Sequence, residues 1–161
     1  MTASLSEISV STPEGLPFID IERKLDAPRA LVFRAYTEPE LLKQWLGPSK
    51  YEMTVERYEV RDGGRWRYVH RAADGTEFGF HGVFHGEPTP EAMTQTFEFE
   101  LWPGHVALDT IRFDEVDGRT VVRIHSTYQS VEARDGMAEG GMATGVAEGF
   151  RRLDELLASL R

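Results

Sequence analysis

Between Met137 and Leu160 the apolar residues Ala138, Met142, Val146, Phe150, Leu153, Leu157 and Leu160 recur every three or four positions, while Glu148, Arg151, Asp154 and Glu155 face away from them. That spacing predicts a helix with one apolar stripe, which another element must cover. Gly145 and Gly149 fall inside the stripe. Each costs about 1 kcal/mol relative to alanine in a helix interior, so propensity does not explain them. Either a sheet approaches the helix closely there, or the two stand apart and a cavity remains.

Upstream the period is different. Residues 1–15, rich in Ser, Thr and Glu and broken by Pro13 and Gly15, lack sustained periodicity and read as a flexible N-terminal arm. From Leu16 to Leu25, Ile19, Ile21, Arg23 and Leu25 alternate with Phe18, Asp20, Glu22 and Lys24, which predicts a strand with one buried face. Two short helices follow. The first is capped by Asp26 or Ala27, with Pro28 in its first turn, and the second by a Thr37/Glu40 capping box around Pro39, ending at Gly47-Pro48. Period two then holds for some eighty residues. Strands are expected at 51–61, 65–73, 77–86, 94–102, 106–113 and 120–129, with turns at Asp62-Gly63-Gly64, Asp74-Gly75, Pro88/Pro90, Pro103-Gly104 and Asp117-Gly118. The sum is an α+β domain over residues 16–161: a curved seven-stranded antiparallel sheet wrapped around the long C-terminal helix, with two short helices after the first strand.

The strand pattern also puts aromatic rings on one side. Trp66 and Tyr68 share parity with His70, Phe78 with Phe80 and Phe84, and Phe97 and Phe99 with Gln95. An aromatic core is one reading. An apolar chamber with a few inward polar groups, suited to a small hydrophobic molecule, is the other. Its expected ligand contacts are Trp45, Trp66, Tyr68, His70, Phe80, Gln95, Phe97, Phe99, Met142, Val146 and Phe150.

Composition narrows the classes. The chain has 161 residues, no cysteine and a net charge of -9. It therefore suits one domain without disulfides or thiolate chemistry, and its acidity disfavours nucleic acid and anionic lipid. No secretory signal or membrane-span pattern is present, so a cytoplasmic location follows by default. His70, His81, His85, His105 and His125 have no metal-binding spacing: on a strand, His81 and His85 stand about 13 Å apart. No GxSxG elbow or phosphate-binding glycine loop occurs, and no cofactor is implied. Acid/base candidates remain, first His70 and then Tyr68, Glu98 or Asp109. The Gly141, Gly145, Gly149 series could suggest a membrane helix dimer, but Glu148, Arg151 and Arg152 interrupt it.

Several segments in order carry a family resemblance. RKLDAPRALVFRAYTEPELLKQWLGP from Arg23, VRDGGRWRY from Val60, HGVFHGEPTPE from His81, FDEVDGRTVVRI from Phe113 and EARDGMAEGGMATGVAEGFRRLDELL from Glu132 resemble the Hsp90-ATPase-activator-like branch of the START-related SRPBCC (Bet v 1-like) superfamily. The resemblance spans about residues 17–160 and implies a helix-grip fold with a cavity between sheet and helix. It implies three functional classes: a carrier of a small hydrophobic ligand, an acid/base enzyme on a cyclic or polyketide-like substrate, or a chaperone-linked interaction module. Of these the noncatalytic binder is expected, with a homodimer left open. Departures occur at Phe33, Tyr36 and Leu46, where the family often has Trp, and the co-chaperone's separate N-terminal domain has no counterpart in the arm.

Overall fold

The computed structural model describes residues 8–140 and 142–160. Eight strands form one antiparallel sheet: β1 (Ile8–Ser11), β2 (Phe18–Leu25), β3 (Glu52–Tyr58), β4 (Arg65–Arg71), β5 (Glu77–His85), β6 (Ala92–Phe99), β7 (Val106–Val116) and β8 (Arg119–Thr127). Their order across the sheet is β1-β2-β8-β7-β6-β5-β4-β3. Helices α1 (Arg29–Thr37) and α2 (Pro39–Leu42) lie between β2 and β3, and α3 (Val131–Glu139) and α4 (Met142–Ser159) follow β8.

The sheet therefore has eight strands where the sequence pattern predicts seven. The added one, β1, lies in the stretch read as an arm and pairs with β2 from Ile8↔Arg23 to Ser11↔Asp20. Four residues with Ile8 and Val10 as the only apolar pair are too short to stand out as an alternation. The other strands fall where period two puts them. On β2, Ile19, Ile21, Arg23 and Leu25 are buried, as the alternation predicts. The β7–β8 hairpin turns on Asp117 and Gly118 alone, both at positive φ (54° and 76°), a conformation that Asp-Gly adopts at low cost.

Two helix expectations need correction. The C-terminal helix starts earlier than Met137 and is interrupted: Ser130 caps α3 by accepting the Ala133 N–H (3.0 Å), and α3 ends at Gly140. Glycines at 136 and 140 weaken the periodic pattern that would reveal this turn of chain; Gly141 lies outside the described residues. Nor does Thr37 form a capping box. Its hydroxyl donates to the Phe33 carbonyl (2.7 Å), and α2 starts from Glu38 without a side-chain cap, while α1 starts from Pro28.

The stripe of α4 packs over the concave sheet face. Phe150, Leu153 and Leu157 join Ile21, Leu25, Val32, Phe113 and Val122 in one buried core. That core occupies the α1 side. Toward β4, β5 and β6 the helix and sheet part, and the space between them is the site described next.

Candidate functional site

The cavity between sheet and helices has a volume of about 670 Å³. Its floor is the inner sheet face: Trp66, Tyr68 and His70 from β4, Phe78 and Phe80 from β5, and Gln95, Phe97 and Phe99 from β6. Strand parity assembles this floor, because alternate side chains of each strand share a face. Trp66 stacks on Tyr68 (centroids 5.2 Å), Tyr68 on His70 (5.3 Å) and Phe80 on Phe99 (5.0 Å). The glycine at position 82 lets the Trp66 indole lie flat against β5, where a Cβ would stand 2.7 Å from the ring.

The roof comes from α3 and α4, through Met137, Met142, Val146 and Phe150 with Gly136, Gly145 and Gly149 between them. The loop after α2 closes one side. Trp45 is held there by its Nε1–H donating to the Ala35 carbonyl (3.0 Å) and by rings on either side, Tyr36 at 4.8 Å and Phe150 at 6.4 Å. Tyr58, on β3, donates its hydroxyl to the Tyr36 carbonyl (2.6 Å). Trp102, in the β6–β7 loop, borders the space near Gly136. The two glycines of α4 serve different ends. At Gly149 the Trp45–Gly47 loop comes close, so that a Cβ would lie 3.2 Å from the Trp45 carbonyl; at Gly145 its first neighbour would be Pro48 at 3.6 Å.

All the side chains that the sequence singles out as ligand contacts, from Trp45 to Phe150, border this one space. Phe84, which shares their parity, does not; it is fully buried in the core against Tyr58. Sequence reasoning did not select Tyr36, Tyr51, Tyr58, Trp102, Ile111, Ile124 or Met137 as lining residues. For Ile111 and Ile124 the signal was available in the strand period. Tyr36 lies on the inner face of α1, where its helical period marks it as buried without marking it as cavity wall; the remaining four sit at a strand end, in loops or on the unrecognised α3, where no period applies.

Polar groups in the wall are few. His70 is 6% exposed, its Nε2 has no hydrogen-bond partner, and burial, with the Arg152 guanidinium as a lesser cause, lowers its pKa to about 4. It is neutral near pH 7. Gly47, at positive φ, makes room for its ring, because a Cβ there would overlap the imidazole. Asp109, on β7, pairs across the sheet with Gln95 on β6 and Ser126 on β8, so the three form one polar row. Burial raises the Asp109 pKa to about 6 against the opposing hydrogen bond with Ser126. Glu98, weighed with His70 from sequence, lies outside the cavity wall and accepts the Gly104 N–H (2.9 Å). Among the described residues there is no cluster of His, Asp or Glu that could hold a metal ion. None of the helices described is long and apolar enough to cross a membrane.

Comparison with known proteins places this architecture. The chain is similar to a Rhodobacter sphaeroides protein of known crystal structure, with 29% identity, a TM-score of 0.88, and coverage of 95% of this chain and 99% of that one. It is similar to an Arthrobacter aurescens protein at 27% identity and a TM-score of 0.85, covering 94% and 91% of the two chains. Mycobacterium smegmatis Ms6760, at 23% identity and a TM-score of 0.84 over 94% and 97%, shares the fold. No curated protein matches. Residues 26–158 match the family model of Activator of Hsp90 ATPase homolog 1-like proteins, so the resemblance read from the ordered segments is borne out and the chain belongs to that family.

Proposed function

We propose that the domain binds a small, mostly hydrophobic ligand between its sheet and its C-terminal helix and performs no chemistry on it. The observation that carries this reading is the cavity of about 670 Å³ with its aromatic wall. An empty space costs a close-packed core about 24 cal/mol per Å³, so folding alone gives no reason to keep it. Ligand sites of about 300–1,000 Å³ with apolar walls and a few polar groups are what such a space resembles.

Catalysis has less support. His70 does point into the cavity, but no partner fixes the tautomer of its Nε2 and its pKa of about 4 makes it a weak base at neutral pH. A chaperone-associated module is the second reading, favoured by the family match over residues 26–158. The chain's three tryptophans, Trp45, Trp66 and Trp102, all border the cavity, so their emission reports on its contents. Native mass spectrometry of protein from its own cells, with tryptophan emission before and after extraction of bound molecules, tests the binder reading. A retained small molecule whose removal shifts the emission supports it. Unliganded protein whose emission ignores a panel of hydrophobic compounds, together with retention on an Hsp90 column, would favour the chaperone reading instead.

A further inference from the structure

The cavity contains a charge that its own walls leave unmatched. Asp109 lines it at the centre of the row Gln95–Asp109–Ser126, and among the described residues it forms no ion pair; no Lys or Arg borders the space. Its neighbours are neutral. Gln95 and Ser126 cannot titrate, and the Tyr68 and Tyr128 hydroxyls, which feel the Asp109 charge, hold their protons all the more firmly for it. His70 is kept uncharged by burial. The same cavity wall carries electron-rich rings, Trp66 packed with Phe97 (centroids 6.0 Å) and Tyr68 with Phe80 (5.3 Å).

A carboxylate away from water is destabilised unless a cation meets it, and the faces of aromatic rings attract cations as well. Both features favour the same guest. A carboxylic acid would bring like charge to Asp109, and a neutral molecule would leave it unpaired. Resting on the binder reading, we propose that the ligand is a lipophilic amine, held as its ammonium ion with the nitrogen at Asp109 and its apolar body among the rings of β4, β5 and β6. The net charge of -9 adds a general attraction for cations.

The test uses the full chain and three matched probes: phenylbutylamine, phenylbutanol and phenylbutanoate, titrated near pH 7 by calorimetry and tryptophan emission. The amine is expected to bind about tenfold or more tightly than the alcohol, with the acid weakest. In Asp109→Asn the amine's advantage should fall to about twofold or less while the alcohol's affinity is kept. If that variant does not fold, the wild-type protein gives the same answer at about pH 5, where protonation of Asp109 should cost the amine about tenfold and the alcohol nothing. Asp109 is the group that changes charge in that interval: its strand neighbours Gln95 and Ser126 do not titrate, Tyr68 and Tyr128 keep their protons, α3 and α4 bring only apolar residues to the wall, and His70, with its pKa lowered to about 4, is largely neutral at both pH values. An alcohol that binds as well as the amine, or an amine preference that survives Asp109→Asn or acidification, overturns the charge assignment alone. Failure of all three probes overturns the binder reading and the amine with it.

Discussion

Arg23 on β2 and Asp154 on α4, 131 residues apart, form an ion pair that ties the second strand to the last helix. The two ends are not equivalent. Arg23 is 3% exposed and also lies over the Phe150 ring (5.9 Å), whereas Asp154 is 30% exposed, with burial the main cause raising its pKa. Removing one partner of a buried pair costs about 3–5 kcal/mol when the remaining charge has no route to water. Asp154→Asn strands the guanidinium in the core and should cost about that much. Arg23→Met leaves a carboxylate that can still reach solvent, so a loss of roughly 1–2 kcal/mol is expected. Urea midpoints of the two variants and their double mutant check the asymmetry; equal losses would show that the pair is not desolvated on the Arg23 side.

The glycines of α4 make a second paired test. Gly145→Leu adds a side chain where the first neighbour of its Cβ is Pro48 at 3.6 Å, so it should extend into the cavity. Stability should change by less than about 1 kcal/mol, helped by the better helix propensity of leucine, while ligand affinity falls. Gly149→Leu meets the Trp45 carbonyl at 3.2 Å and the Gly47 backbone N at 3.5 Å, and overpacking there should cost about 1–3 kcal/mol or more. A strongly destabilised Gly145→Leu would mean that the cavity closes at that point in solution.

Phe150 separates core from cavity wall. It is 3% exposed, stacked with Trp45 and lying under the Arg23 guanidinium, so Phe150→Ala should cost about 3–5 kcal/mol in urea midpoint analysis. A much smaller loss would place its ring among the replaceable groups of the wall.

The floor of the cavity was legible because it is made by periodicity. Trp66, Tyr68, Phe80, Phe97 and Phe99 share a face by parity alone, and the α4 stripe faces them by its own period. What escaped depends on contacts across the fold. Asp154 falls on the polar side of the helical pattern, yet it reaches a buried arginine on β2 that only the folded sheet brings near. Asp109 follows the inward parity of Ile111 and Phe113, but the lack of a Lys or Arg in the wall around the cavity is a property of the whole folded lining, which no single strand's period reveals. Strand β1 was too short to have a period, and α3 is punctuated by the same glycines, Gly136 and Gly140, that border the cavity.

The two ionisable groups of the cavity should oppose each other as pH changes. The folded chain raises the Asp109 pKa from 3.8 to about 6, so it holds that proton more tightly than the unfolded chain does. Its contribution to stability is full below about pH 3.8 and is lost as pH rises through about 6. His70 runs the other way. Burial lowers its pKa from 6.5 to about 4, so its contribution is full above about pH 6.5 and is lost as pH falls through about 4. Between about pH 4 and 6 the two partly cancel in the wild-type protein. Asp109→Asn removes the gain on acidification, so its stability relative to wild type should climb as pH rises across that interval, by on the order of 2 kcal/mol. His70→Gln should show the opposite slope, gaining on wild type as pH falls, whatever constant offset its lost packing adds. Carboxylates outside the cavity that ion pairs hold down, such as the half-buried Glu100 with Arg67 and His81, titrate alike in all three proteins and drop out of the differences. Urea midpoints at half-unit steps of pH supply the profiles; two flat difference curves would place both side chains in contact with bulk water and remove the electrostatic basis for a charged ligand at Asp109.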